Sequence, residues 1–200
     1  MTIELEDNAT PRLRGMLAAL RRRKPLLERM GKAVEVRLRE HFAARNTEGN
    51  AKGWPKRNFW NRVVRKATAF ESATEEEASV AIASREFAQK LYGGTIRAQR
   101  GKYLAIPLTA RAYRTGRPGL WSGAGLSLVK TPKAALLVEN LHSSLGRKGG
   151  GGRIRGGEAQ YLLVKSVTQA PDPRALPSST KLTNAALMVA RTYVEALQRA

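Results

Sequence analysis

Enzymatic chemistry needs an activated nucleophile, a general base, a metal or a phosphate cradle, and each has residues that announce it. The first candidates are the two histidines, His41 and His142. His41 falls on the apolar face of a helical pattern beside Phe42, the setting of a partly buried packing residue. His142 precedes Ser143-Ser144, but a Ser–His pair needs an orienting acid and the sequence supplies none there. Glu75-Glu76-Glu77 reads as a charged turn rather than a catalytic carboxylate pair. There is no His-Glu-x-x-His and no EF-hand loop. The absence of Cys removes thiolate metal sites, cysteine nucleophiles and disulfides together.

A glycine tract, Gly146 to Gly157 (GRKGGGGRIRGG), is the remaining prospect for a phosphate site. It lacks the Gly-Lys-Ser/Thr ending of a P-loop and misses the Gly-x-Gly-x-x-Gly register. It reads instead as a flexible basic hairpin or linker over residues 146–157, too rich in glycine to hold one shape without a partner. As a hairpin it drapes Arg147, Lys148, Arg153 and Arg155 over that partner. No catalytic residue, cofactor site or metal site emerges, and the chain reads as a non-enzyme.

Charge is the louder signal. The 200 residues hold 36 Lys+Arg against 16 Asp+Glu, a net of +20, with a hydrophobic fraction of 42% that suffices for a core. Residues 101–200 carry 15 basic and 4 acidic groups. From Phe87 to Val138 there is no acid at all, while Lys90, Arg97, Arg100, Lys102, Arg111, Arg114, Arg117, Lys130 and Lys133 lie in that span. Such one-sided repulsion gives a monomer nothing, so these cations are expected to meet anions. Tyr92, Tyr103, Tyr113 and Trp121 are interleaved with them and could form a stacking surface. No apolar run approaches the ~18 residues of a membrane span. The N-terminus is acidic, unlike a signal peptide, so the expectation is a soluble protein made in the cytoplasm with no membrane partner.

The elements that position these residues follow from periodicity. Thr10 to Arg23 has Leu13, Leu17 and Leu20 on one helical face, with Thr10 as N-cap and Pro11 at the first helical position. A second helix begins at Pro25 and carries Leu27, Met30, Val34, Leu38 and Phe42 as one stripe, ending near Arg45. A short amphipathic helix is expected between Trp54 and Lys66, bearing Lys56, Arg57, Arg62, Arg65 and Lys66. The period then becomes two through Val80 and Ile82, a hairpin turning at Glu75–Glu77. Arg85 to Tyr92 reads as helix closed by Gly93-Gly94. Tyr103 to Thr109 alternates, and Pro107 places this strand at a sheet edge. Arg111 to Gly125 reads as loop, Ala134–Glu139 and Ala159–Thr168 as strands, and Ala170 to Pro177 as a proline-rich turn. The last helix carries Leu182, Ala186, Val189, Tyr193 and Leu197. The fold class is therefore α+β, a mainly antiparallel sheet packed against N-terminal and C-terminal helices with long basic loops. We read residues 1–200 as a single domain, of which 10–46 form the N-terminal helical part.

The motif order, with Gly53-Trp54-Pro55, then Gly93-Gly94-Thr95-Ile96, then Lys102-Tyr103-Leu104-Ala105-Ile106-Pro107-Leu108, resembles the virion morphogenesis and tail-completion proteins of tailed bacteriophages. The turn Ala170–Pro177 departs from that family's usual Ile-Pro-Ala-Arg-Pro form. The resemblance implies a structural protein at the head–tail junction of the virion, assembled into a homo-oligomeric ring, a hexamer by the sixfold symmetry of tails. It implies neighbouring tail and connector proteins as partners, contact with packaged DNA as a further prospect, and no cofactor. Gly93 and Gly94 match its tight turn, and Leu104, Ile106, Pro107 and Leu108 its edge strand. The alternative is a basic, sequence-nonspecific nucleic-acid-binding protein, whose charge would meet backbone phosphates rather than read bases. A hydrolase using His142 is a weaker third reading.

Overall fold

The computed structural model describes residues 9–49, 52–99, 101–122, 125–132, 134–140, 142–144 and 153–199. The architecture is mixed α+β, with helices toward both ends of the chain and antiparallel sheets between them. The chain divides into two compact units interleaved in sequence. One comprises residues 1–48, 58–91 and 172–200; the other comprises 49–57 and 92–171.

The first unit is built on helix α2 (Lys24–Thr47), preceded by α1 (Ala9–Arg21). A π-helical turn, Trp60–Val64, runs into the short α3 (Arg65–Ala67), and strands β1 (Thr68–Ala73) and β2 (Ala78–Ile82) form the predicted antiparallel hairpin. Helices α4 (Arg85–Tyr92, entered from this unit) and α6 (Ser179–Arg199) complete it. The predicted α2 stripe delivers Leu38 and Phe42 to a core with Val64, Phe87 and Ala175. Phe42 stacks on Trp60 at 6.0 Å and meets Phe87 edge-on at 5.6 Å, so the centre of this unit is aromatic. Gly31 on α2 has a packing reason: a Cβ there would stand 2.7 Å from the Phe70 ring.

Charges are woven through the same unit. Arg45 is buried on α2, 4.9 Å above the Trp60 ring, and donates to Asp172 and Glu48 at 2.6 Å each. Glu48 also accepts from Arg174 at 2.9 Å. The acidic turn is used as well: Glu75 accepts the backbone N–H of Lys24 at 2.9 Å and so caps α2 from a distant hairpin.

Three expectations for this unit are corrected. The amphipathic helix starts at Trp60, so Lys56 and Arg57, expected on it, lie before it and belong to the other unit. On α1, the leucines read as one face, Leu13, Leu17 and Leu20, are 64%, 53% and 39% exposed, while Thr10, Met16 and Ala19 are the half-buried positions. Thr10 and Pro11 lie inside α1 rather than at its cap and first position, since Ala9 is already helical.

The second unit centres on an antiparallel sheet in the order β4-β9-β6-β5: β4 (Leu104–Pro107), β9 (Glu158–Val164), β6 (Ala135–Glu139) and β5 (Leu126–Lys130). Pro107 lies on an edge strand as predicted, and the ladder continues past it through Leu108 N–H to Gln160 O at 2.8 Å. Tyr161 is fully buried, its hydroxyl donating to Ala112 O at 3.1 Å, and Trp121 meets its ring edge-on. Burial raises the Tyr161 phenol above its ordinary value, against a smaller downward pull from the Arg57 charge.

The expected strand Ala159–Thr168 is two strands. Beyond Lys165 the chain changes partner, and β10 (Ser166–Gln169) pairs with β3 (Gly94–Arg97), which was read only as a turn. Strand β5 was not predicted. The expected loop Arg111–Gly125 contains helix α5 (Ala110–Thr115) and a 3-10 turn, Pro118–Leu120. Thr109 caps α5 by accepting Ala112 N–H at 3.1 Å, and Gly116 ends it at φ +83°. A last pair joins β7 (His142–Ser144), before the glycine tract, to β8 (Arg153–Arg155), within it; residues 146–152 of the tract lie outside the described set.

Candidate functional site

Interleaving sorts the charge. The first unit contains 20 basic and 14 acidic side chains, a net of +6; the second contains 16 and two, a net of +14. The larger share of the excess thus sits on fewer than half the residues. The two acids of the second unit are engaged locally. Glu139 is 5% exposed, accepts from Arg111 Nη1 at 3.0 and 2.8 Å, and accepts from Trp121 Nε1 at 3.2 Å. Glu158 accepts from Gln160 at 2.9 Å.

Segment 52–57 and helix α5 meet within this unit. The Lys52 ammonium stands 4.5 Å over Trp54, the Trp54 and Tyr113 rings are 5.2 Å apart, and the Arg57 guanidinium lies 4.3 Å over Tyr113. Arg57 also donates to Tyr113 O. Its Nη2 would sit 3.4 Å from a Cβ at Gly116. Cation, ring, ring and cation form one pile, held by attraction between positive charge and ring faces. Arg114 and Arg117, at the end of α5 and just past it, are exposed and have no ion-pair partner among the described residues. The pile thus sets Lys52 and Arg57 on two half-buried rings, and the helix that supplies Tyr113 carries Arg114 and is followed by Arg117.

The predicted anion-facing residues divide accordingly. Arg97 on β3, Lys102 before β4, Arg114, Arg117 and Lys130 at the end of β5 are exposed. Arg111 is exposed as well, yet its guanidinium is engaged within the unit: it holds Glu139, donates to Ser122 O at 2.6 Å and lies 4.4 Å over Trp121. Lys90 belongs to the first unit, over Phe59 and Trp60. Arg153 and Arg155 lie on β8. Arg100, Lys133, Arg147 and Lys148 lie outside the described residues. The stacking surface is also corrected. Tyr92 and Tyr103 are exposed, but Tyr113 and Trp121 have a ring face occupied by arginine. His41 does pack as expected, edge-on to Phe42 with Nε2 3.2 Å from Arg174 O.

Reading along the chain missed Lys52, Trp54 and Arg57 as partners of α5, although a signal existed. Between Glu48 and Glu71 there is likewise no acid.

The structural motif residues have visible causes. Gly93 has φ +70°, and a Cβ on it would stand 2.6 Å from Gln169 O and 2.8 Å from Pro171, so the turn into β3 excludes any side chain. Gly94 opens β3, opposite Gln169. Leu104, Ile106 and Pro107 are half-buried on β4, and Leu108 just beyond is exposed. The opposite edge, β5, is unblunted by proline and shows Leu128 at 53% exposure. The leucine stripe of α1 is exposed as well, and so are Leu187 and Met188 on α6. No family model matches the chain, and neither a curated protein nor a solved structure matches it.

Proposed function

We propose that this chain is a structural protein of a tailed-phage virion that completes or terminates the tail and joins it to the head, working as a ring subunit. One observation carries the associative part of this reading. On α1 three leucines spaced i, i+4 and i+7 face solvent, an apolar stripe of the kind that marks a protein–protein contact. The open edge of β5 offers a second surface, since a strand edge pairs readily with another chain. A ring requires two different surfaces per subunit, because only head-to-tail contacts close by rotation. The Gly-Gly-Thr-Ile and Leu-Ala-Ile-Pro-Leu motifs supply the likeness to tail-completion proteins, and the basic second unit suits docking against an anionic neighbour.

The test is the particle formed by the full chain. Light scattering and negative-stain microscopy should find a ring-sized species, alone or on isolated tail tubes, and Leu17→Glu should reduce it to monomer while leaving the helical spectrum intact. A chain that stays monomeric at every concentration and is not retained by tail tubes would overturn the reading.

A further inference from the structure

The basic surface of the second unit goes beyond association. We propose that this unit binds the phosphodiester backbone of duplex DNA, with Arg57, Arg114 and Arg117 as the contacting cations and the Trp54–Tyr113 pair as the support that holds Arg57 in place. Three observations lead there. First, charge of one sign is nearly unbroken: 16 basic against two acidic side chains, with Glu139 buried against Arg111. Protein surfaces that meet other proteins usually intersperse both signs, whereas duplex DNA presents one negative charge per about 1.7 Å of axis. Second, the cations at the centre are arginines, whose planar fork matches a phosphate bidentately, and Arg57 is pre-positioned over Tyr113 at 4.3 Å. Third, each ring already carries a cation. Lys52 lies over Trp54 and Arg57 over Tyr113, and the two half-buried rings pack on each other at 5.2 Å, so bases would compete with cations and ring for these faces. That geometry selects backbone contact and sequence-independent binding.

The experiment uses the full-length chain and fluorescence anisotropy of a short labelled duplex across a salt series. The variant Arg57→Gln/Arg114→Gln/Arg117→Gln is compared with Arg62→Gln/Arg65→Gln/Lys66→Gln, which removes the same charge from the first unit. Loss of three phosphate contacts should reduce the slope of log K against log salt by about 2.7 and weaken binding at low salt by roughly tenfold or more. The first-unit variant should change affinity by less than about threefold. Because Arg57 also braces Tyr113, Arg114→Gln/Arg117→Gln is measured separately, with thermal melting as a check on folding; its slope should fall by about 1.8. Absence of duplex binding by the unaltered chain would overturn the proposal. So would equal losses in the two triple variants, or competition by poly-glutamate as strong as that by duplex of equal charge. Light scattering on the same variants reads assembly independently. A protein that binds duplex without forming rings, or forms rings without binding duplex, therefore fails one reading and not the other.

Discussion

In the first unit, ion pairs are part of the fabric: Arg45 joins Asp172 to Glu48, Arg174 joins Glu48 from the other side, and Arg39 pairs with Glu35 on α2. In the second unit one such pair among the described residues, Arg111 with Glu139, ties α5 to β6, and the unit's sequence holds one further acid, Glu158, against its other 15 cations. Their cores differ in the same sense. The first unit closes on stacked apolar rings, the second on hydrogen-bonded groups such as Tyr161, Gln160 and Glu139. The contrast separates two uses of charge. Where acids balance bases, charge serves local structure; where acids are withheld, the excess positive charge is left for the external anion proposed above.

The sharpest way to break the comparison is to attack the aromatic centre. Phe42→Ala should lower stability by about 3–5 kcal/mol, because it removes a fully buried ring and leaves a cavity beside Trp60 and Phe87. Urea denaturation gives the size, and hydrogen exchange in β9 tells whether the second unit keeps its protection. A change in the second unit comes next. Gly93→Ala should cost about 2–4 kcal/mol, the sum of a left-handed backbone and a clash with the Gln169 carbonyl. Protection of the β3–β10 amides should fall first.

Glu139→Ala should cost about 1–3 kcal/mol, since it strands Arg111 and the Trp121 N–H in a half-buried site. Thermal melting measures the loss, and Glu139→Gln should recover part of it by accepting from one donor. If Glu139 were as dispensable as a surface acid, the second unit would have no internal ion pair worth naming. The smallest effect is Glu75→Ala, about 0.5–1 kcal/mol from the lost cap on α2. An exchange rate at Lys24 and its neighbours that does not move would remove the cap from the account.

The helices with one clean stripe were legible because a 3.6-residue period forces apolar side chains onto one face, and α2 and α6 bury or half-bury the residues so read. The hairpin β1–β2 and the edge position of Pro107 were legible for equally local reasons: alternation, a charged turn and a missing N–H donor. Helix α5 was not. It is six residues long, begins at a threonine cap and ends at a glycine, with no stripe to distinguish it from loop. The exposure of Leu13, Leu17 and Leu20 was equally invisible, since amphipathicity names a face without saying that anything covers it. Of the candidate site, the individual cations were read correctly as acid-poor, but Arg111 was grouped with them because its acid partner lies 28 residues away.

Composition, periodicity and turn chemistry by themselves determined the fold class, the order of most elements and the one-sided charge, because each depends on neighbours within a few residues. Only tertiary structure decided which cations stand together. Segment 49–57 leaves the helical unit that surrounds it and joins residues 92–171, bringing Trp54 and Arg57 onto Tyr113 of α5. Tertiary structure also engaged Arg111, from the surface, in an ion pair with the buried Glu139, and turned Gly93 from a turn residue into a point of backbone contact. Those outcomes rest on contacts between residues tens of positions apart. Burial and pairing select them, and no local pattern encodes them.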